Sequence, residues 1–356
     1  MRVLVIKTSS LGDIIHTLPA LTDAARAIPG IRFDWVVEEG FAEIPSWHPA
    51  VDKVIKVAMR RWRGAPWQAV KSGEWGGFKK QLREQKYDLV IEAQGLFKSA
   101  WLTRYVKNTP VAGMDRRSVR EPLASHFYDR RLAVGHRSIQ HAVERLRRLF
   151  ALALGYDLPD VMGDYGLNPL RPVGGRRLAP YVVFLHGTTW DTKFWPEAYW
   201  RDLAVRLASA RIEVRLPWGN DAEFARAQRL AAGLDSVKVL PRLNLAGVAA
   251  VLAEASACVA VDTGLGHLAA ALDVPTLSLF GPTNPVLTGA YGRSQVHIAS
   301  DWPCAPCLKK KCTYQPTPED QARFDLKREW PLCFTRLNSE RVAARLSALL
   351  LAEELR

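Results

Sequence analysis

The stretch KTSSLGDIIHTLPA begins at Lys7, directly after the apolar run VLVI, where a strand gives way to a helix. Helix starts of this kind attract phosphate, because their amides are unpaired and their dipole end is positive. This one has a single glycine, Gly12, followed by a carboxylate, Asp13. At that place the helix dipole favours the ionised acid. An anion there repels phosphate, but it can accept a proton from a hydroxyl that attacks an electrophile. The other reading of Asp13 is a helix cap that satisfies local amides. The residues alone leave both open.

The second half holds residues of the complementary type. In VDTGLGH, Asp262 closes an apolar run, Thr263 and Gly264 make the turn, and a helix begins near Leu265 with His267 one turn in. Gly264 allows close approach of a phosphate to the backbone. HGTTWDTKFWP adds Thr188, Thr189 and Lys193, two hydroxyls and an ammonium that suit a diphosphate. Pro196 is placed to open the next helix. LPWGNDAE ends another strand, and Glu223 can accept from a ribose diol. Together these describe a nucleotide-diphosphate site that has neither a Walker lysine motif nor a dinucleotide glycine fingerprint. Taken singly, Asp262 reads as a cap, Gly264 as a turn glycine and His267 as a residue on a helix surface.

Four cysteines, Cys304, Cys307, Cys312 and Cys333, follow the spacing C-x2-C-x4-C-x20-C, which can hold structural zinc or remain as free thiols. Cys258, in ACVAVD, reads as a buried strand residue.

Such residues must stand at strand ends, and the chain supplies the strands. RVLVIK, FDWVVEE, DKVIKVA and YDLVIEAQG alternate with helical stretches such as GDIIHTLPALTDAARA, in which Pro19 should end or bend the helix. Near-continuous Val, Ile and Leu point to strands buried on both faces by helices in right-handed βαβ units. LNPLRPVGGRRLAP, from Leu167 to Pro180, interrupts the series and reads as a linker. The alternation restarts with YVVFLHG and runs through EVRLPWG, VKVL, ACVAVDTG and PTLSLFG. The expected fold class is α/β, with two open, doubly wound, Rossmann-like domains. The expected limits are 1–170, 171–336 and a closing amphipathic helix over 337–356. Asn338 or Ser339 would cap that helix, and Val342, Leu346, Leu349 and Leu350 form its apolar stripe.

With 356 residues and 48% hydrophobic content, two cores are affordable. No run of eighteen apolar residues occurs, and MRVLVIK does not read as a signal peptide, so the expected compartment is the cytoplasm. The formal net charge is +13. Residues 51–150 carry 22 Lys/Arg against 9 Asp/Glu, which equals the whole excess. Such a face suits an anionic membrane, a phosphorylated substrate or a solvated surface; no aromatic–basic RNA signature accompanies it.

MRVLVIKTSSLGDIIHTLPALTDA, EAQGLFKSA, REPLASHFYDR, VDTGLGHLAAALD and GPTNP together resemble the lipopolysaccharide heptosyltransferases of glycosyltransferase family 9, from Met1 to about Gly292. The resemblance implies a GT-B fold, two Rossmann-like domains facing a central cleft. It implies inverting transfer of heptose from ADP-L-glycero-β-D-manno-heptose to the Kdo sugar of Kdo2-lipid A. Asp13 matches the catalytic base. Thr188, Thr189, Lys193, Glu223, Leu243, Asp262, Thr263, Gly264 and His267 match donor-contacting positions. Arg60, Arg61, Arg63 and Arg120 match basic positions that meet the acceptor. No D-x-D motif is present, in keeping with transfer that needs no metal or other cofactor. The implied place is the cytoplasmic face of the inner membrane, held peripherally on anionic lipid, with no nucleic acid partner. Gly64 departs from the pattern, replacing a basic residue, and so does the four-cysteine segment. Addition of a second heptose and sugar-nucleotide epimerisation are the alternative activities.

Overall fold

The computed structural model describes residues 1–167 and 180–354. The chain divides into two compact units, Met1–Leu167 and Asn168–Arg356. Most of the stretch read as a linker lies outside the described residues.

The first unit is a six-stranded sheet in the order β3-β2-β1-β4-β5-β6. Its strands are β1 Arg2–Ile6, β2 Arg32–Glu38, β3 Val51–Val57, β4 Leu89–Glu92, β5 Val111–Met114 and β6 Arg130–Leu132. All neighbours pair in parallel. Parallel strands need helical crossovers, and helices on both faces require apolar side chains on both faces of the strand. The run Val3–Ile6 is accordingly buried throughout.

The second unit repeats the plan. Its strands are β7 Tyr181–Leu185, β8 Glu213–Leu216, β9 Val237–Val239, β10 Ala257–Val261, β11 Thr276–Phe280 and β12 Gln295–Ala299. They lie in the order β12-β11-β10-β7-β8-β9, again all parallel. Counted from its own first strand, each sheet has the doubly wound order 3-2-1-4-5-6. The strand order reverses between the first and fourth strands of each unit, which is where such folds bind ligands.

The last helix, Ser339–Glu354, buries Val342, Leu346 and Leu349 in the core of the second unit, beside Trp195, Trp200 and Leu203. Asn338 caps it by accepting from Arg341 N at 3.0 Å. Among the described residues no helix is long and apolar enough to cross a membrane.

Several details differ from the sequence reading. The first helical stretch is two helices, Leu11–Ile15 and Leu18–Ala27. Pro19 stands in the first turn of the second, where its missing N–H costs nothing. Pro196 is the residue just before the helix Glu197–Ser209 rather than its first residue. β10 ends at Val261, so Asp262 begins the turn instead of closing the strand. β5, β6 and β12 carry no strong sequence signal: VAGM and RRL are short, and QVHIA is interrupted by polar residues.

Candidate active site

In the first unit, the loop after β1 is fixed from beneath. Thr8 N and Ser9 N both donate to Gln94 Oε1, each at 3.1 Å. Lys7 is buried and donates from Nζ to Ala93 O at 2.9 Å. These bonds tie the loop after β1 to the loop after β4, across the switch point. The helix Leu11–Ile15 then starts with Asp13 at its third position. Ser10 N and Ser10 Oγ both donate to Asp13 Oδ2 at 2.9 Å. The cap reading of Asp13 is therefore correct, and it does not displace the other one. Both bonds fall on Oδ2, and among the described residues none falls on the second oxygen.

Electrostatics keep this acid ionised. Burial pushes the Asp13 carboxyl upward; the Lys7 ammonium, the two Ser10 bonds and the Arg120 guanidinium together pull it below its ordinary value. Lys7 is itself lowered by burial, with Asp13 and Glu92 acting in the opposite direction. Glu92, fully buried at the end of β4, is raised by burial. It accepts from Tyr128 Oη at 2.5 Å and from Gly95 N at 2.9 Å. Sequence reading missed Lys7, Glu92 and Gln94, whose only signal was their place at the two strand ends.

Arg60, Arg61 and Arg63 lie exposed on one short helix, Met59–Gly64. Arg61 is held by two carboxylates, Glu39 at 3.1 Å and Glu74 at 2.8 Å. Arg60 stacks its guanidinium over Phe41 at 5.5 Å. Arg120 is exposed in the loop after β5, beside Gly95, and contributes to the field at Asp13.

The second unit gathers its residues at the equivalent place. Lys193 Nζ meets Asp262 Oδ2 at 2.7 Å, and Thr283 Oγ1 donates to the same oxygen at 2.7 Å. Thr188 Oγ1 donates to Asp262 O at 3.3 Å. The Lys193 ammonium also lies 4.4 Å from the centre of the Trp190 ring. Thr263 precedes the helix Gly264–Ala271, whose first amides lie next to this cluster in the chain. Gly266 lets that helix close on the sheet, since a Cβ there would stand 3.2 Å from Ala260 Cβ. A cation, hydroxyls and a helix amino end form a seat for a diphosphate.

Glu223 Oε2 accepts from Gly219 N at 2.8 Å. Its other oxygen would stand 2.7 Å from a Cβ at residue 187, so Gly187 is what admits the carboxylate beside the loop after β7. Thr189 is exposed at the tip of that loop. Leu243 packs near Gly247, at the start of the helix Leu245–Ala253. His267 is buried, 6% exposed, which corrects its reading as a helix-surface residue. Thr283, Trp190 and Gly187 were not singled out from sequence; Thr283 falls in GPTNP, after β11.

Two doubly wound sheets, one with an anion seat and one with an ionised carboxylate, define a nucleotide-sugar glycosyltransferase of the GT-B class. The sequence profile of glycosyltransferase family 9 (heptosyltransferase) matches residues 75–317. Lipopolysaccharide heptosyltransferase 1 of Pseudomonas aeruginosa is 71% identical over 354 residues, covering 99% of each chain. The protein of that name from Escherichia coli K12 is 54% identical over 83% of this chain and 92% of its own. The solved structure of E. coli heptosyltransferase WaaC with ADP superposes with a TM-score of 0.79 at 53% identity, over 83% of this chain and 92% of that one. The chain belongs to glycosyltransferase family 9, the heptosyltransferases.

Proposed function

We propose that this heptosyltransferase moves L-glycero-D-manno-heptose from ADP-heptose to the Kdo of Kdo2-lipid A, with Asp13 as general base. The second unit binds the donor, and the first supplies the base and meets the acceptor. The reading is supported most by the contrast between the two switch points: a cationic, amide-rich seat in one and an anionic carboxylate in the other. Relatives whose names specify lipopolysaccharide heptose transfer support the sugar. A WaaC structure with ADP-2-deoxy-2-fluoro heptose, 52% identical, supports the donor.

Asp13 removes the proton from the Kdo hydroxyl as its oxygen attacks the anomeric carbon. Inversion in one displacement needs one base and no covalent nucleophile. The departing ADP gains charge on its diphosphate. Lys193, the hydroxyls of Thr188 and Thr189 and the amides of the Gly264 helix stabilise it there. Glu223 accepts from the ribose diol. Arg60, Arg63 and Arg120 meet the phosphates and carboxylates of the acceptor. The basic stretch also attracts the chain to the anionic cytoplasmic leaflet of the inner membrane.

One assay tests the reading: ADP release from ADP-heptose with no acceptor, with Kdo2-lipid A, and with its monoheptosylated product. Release with Kdo2-lipid A alone is the expected result. Release only with the heptosylated acceptor would assign the second addition. Turnover of the donor with no acceptor would indicate epimerisation.

A further inference from the structure

The segment between β12 and the last helix has little regular structure of its own. Its only elements are the helix Pro318–Arg323 and a single turn, Leu332–Phe334. Extended loops with so little secondary structure need another source of order. Four of the five cysteines of the chain lie here. All four, though spread over thirty residues of sequence, line one cavity, together with Trp302 and Tyr314.

The cavity measures about 20 Å³, room for one small occupant. A thiophilic ion needs only sulfur. Leu308 adopts φ +56°, a left-handed conformation that disfavours a branched side chain, and the chain turns back there immediately after Cys307. This turn lets Cys312 reach the wall that Cys304 and Cys307 already line. A divalent cation binds cysteine as the thiolate, so one ion can hold several of them at once. Lys309, Lys310 and Lys311 follow at once in sequence and would offset the negative charge of a four-thiolate site. Among the described residues no group of three or more His, Cys, Asp or Glu side chains is arranged to hold a metal ion. The four cysteines share the walls of one cavity, and binding an ion would draw their sulfurs together.

We infer that Cys304, Cys307, Cys312 and Cys333 bind one structural thiophilic divalent ion, zinc or ferrous iron, that staples this segment to the donor-binding unit. The staple has a defined point of action. Thr192 Oγ1 donates to Lys309 O at 2.6 Å and Thr192 N to Lys310 O at 3.4 Å. Thr192 precedes Lys193 in the same turn. On the other side, Cys333 Sγ would stand 2.9 Å from a Cβ at Gly281, two residues before Thr283. The ion would thus fix both backbone segments that deliver partners to Asp262. That consequence rests on the donor-binding role of Lys193; the ion site itself does not, so the two can fail separately.

The test is elemental analysis of the full-length protein, purified without chelator or histidine tag under a reducing atmosphere. About one zinc or iron per chain is expected, released by an organomercurial and detected with a chromogenic chelator. Protein that arrives without metal should take up about one Zn2+ per chain. Cys304→Ser and Cys333→Ser should each lose the ion and raise KM for ADP-heptose several-fold with a smaller change in kcat. Cys258→Ser should keep it. Less than about a tenth of an ion per chain, with no uptake of added Zn2+, would overturn the site. So would unchanged metal content in both variants, or the finding that the four thiols are paired as disulfides.

Discussion

Asp13 caps its helix, and the same carboxylate is the proposed base. The Ser10 bonds to Oδ2 orient the carboxylate and, with Lys7 and Arg120, hold it ionised. Asp13→Ala should keep donor affinity by calorimetry and lose kcat by about a hundredfold or more, the usual scale for a general base. A base works only when deprotonated, and this one is held below the ordinary carboxylate range. The rate should therefore stay level through neutral and mildly acidic pH and fall only in strong acid. Lys7→Met removes the main charge that pulls Asp13 down, so its acid limb should move upward; an unmoved limb would reject the coupling. The same sign governs stability. A depressed carboxyl contributes stability that is present above its unfolded pKa and is lost as pH falls through the folded one. Lys193→Ala should weaken ADP binding about ten- to a hundredfold, the range for a charge-assisted bond. Unchanged affinity would remove Lys193 from the diphosphate seat.

At the scale of elements, two glycines set how closely strands and loops approach the site. A Cβ at Gly113 on β5 would meet the Tyr128 ring at 2.5 Å, and that ring is anchored by its bond to Glu92. Gly113→Ala should destabilise the chain by about 1–3 kcal/mol, read as a lower melting temperature. Gly187→Ala meets only the flexible end of Glu223, so stability should hold while KM for the donor rises. The elements nearest the switch points were the most legible in sequence, because strands buried on both faces are written in Val, Ile and Leu. β5, β6 and β12 were not, since short or half-polar strands take their identity from neighbours. The residues expected to meet the donor were legible as a set by their place after strands and before helices. Lys7, Glu92 and Thr283 were not: a buried lysine, a buried acid and a loop threonine acquire meaning only through contacts distant in sequence. The pairing of Arg61 with Glu39 and Glu74 was hidden for the same reason.

For the whole molecule, composition predicted a basic face, and the structure divides that charge. Lys53 pairs with Glu84, Arg61 with two acids, and Arg147 is buried against Asp23 at 2.6 Å. Arg60 and Arg63 stay exposed, near Trp67, which is 85% exposed. Partition onto vesicles containing anionic lipid should weaken with added salt. Arg60→Glu with Arg63→Glu should lower it about tenfold or more, at roughly 1 kcal/mol per charge near the surface. Equal partition of the double variant would remove these arginines from the proposed membrane contact.

Both sheets share one strand order, so each unit presents the same kind of niche at its switch point. In the amino-terminal copy the chain has stoppered the niche with its own acid, which occupies the Ser10 amide and repels any incoming pyrophosphate. Stoichiometry follows from that plug: nucleotide should saturate at one per polypeptide, not two.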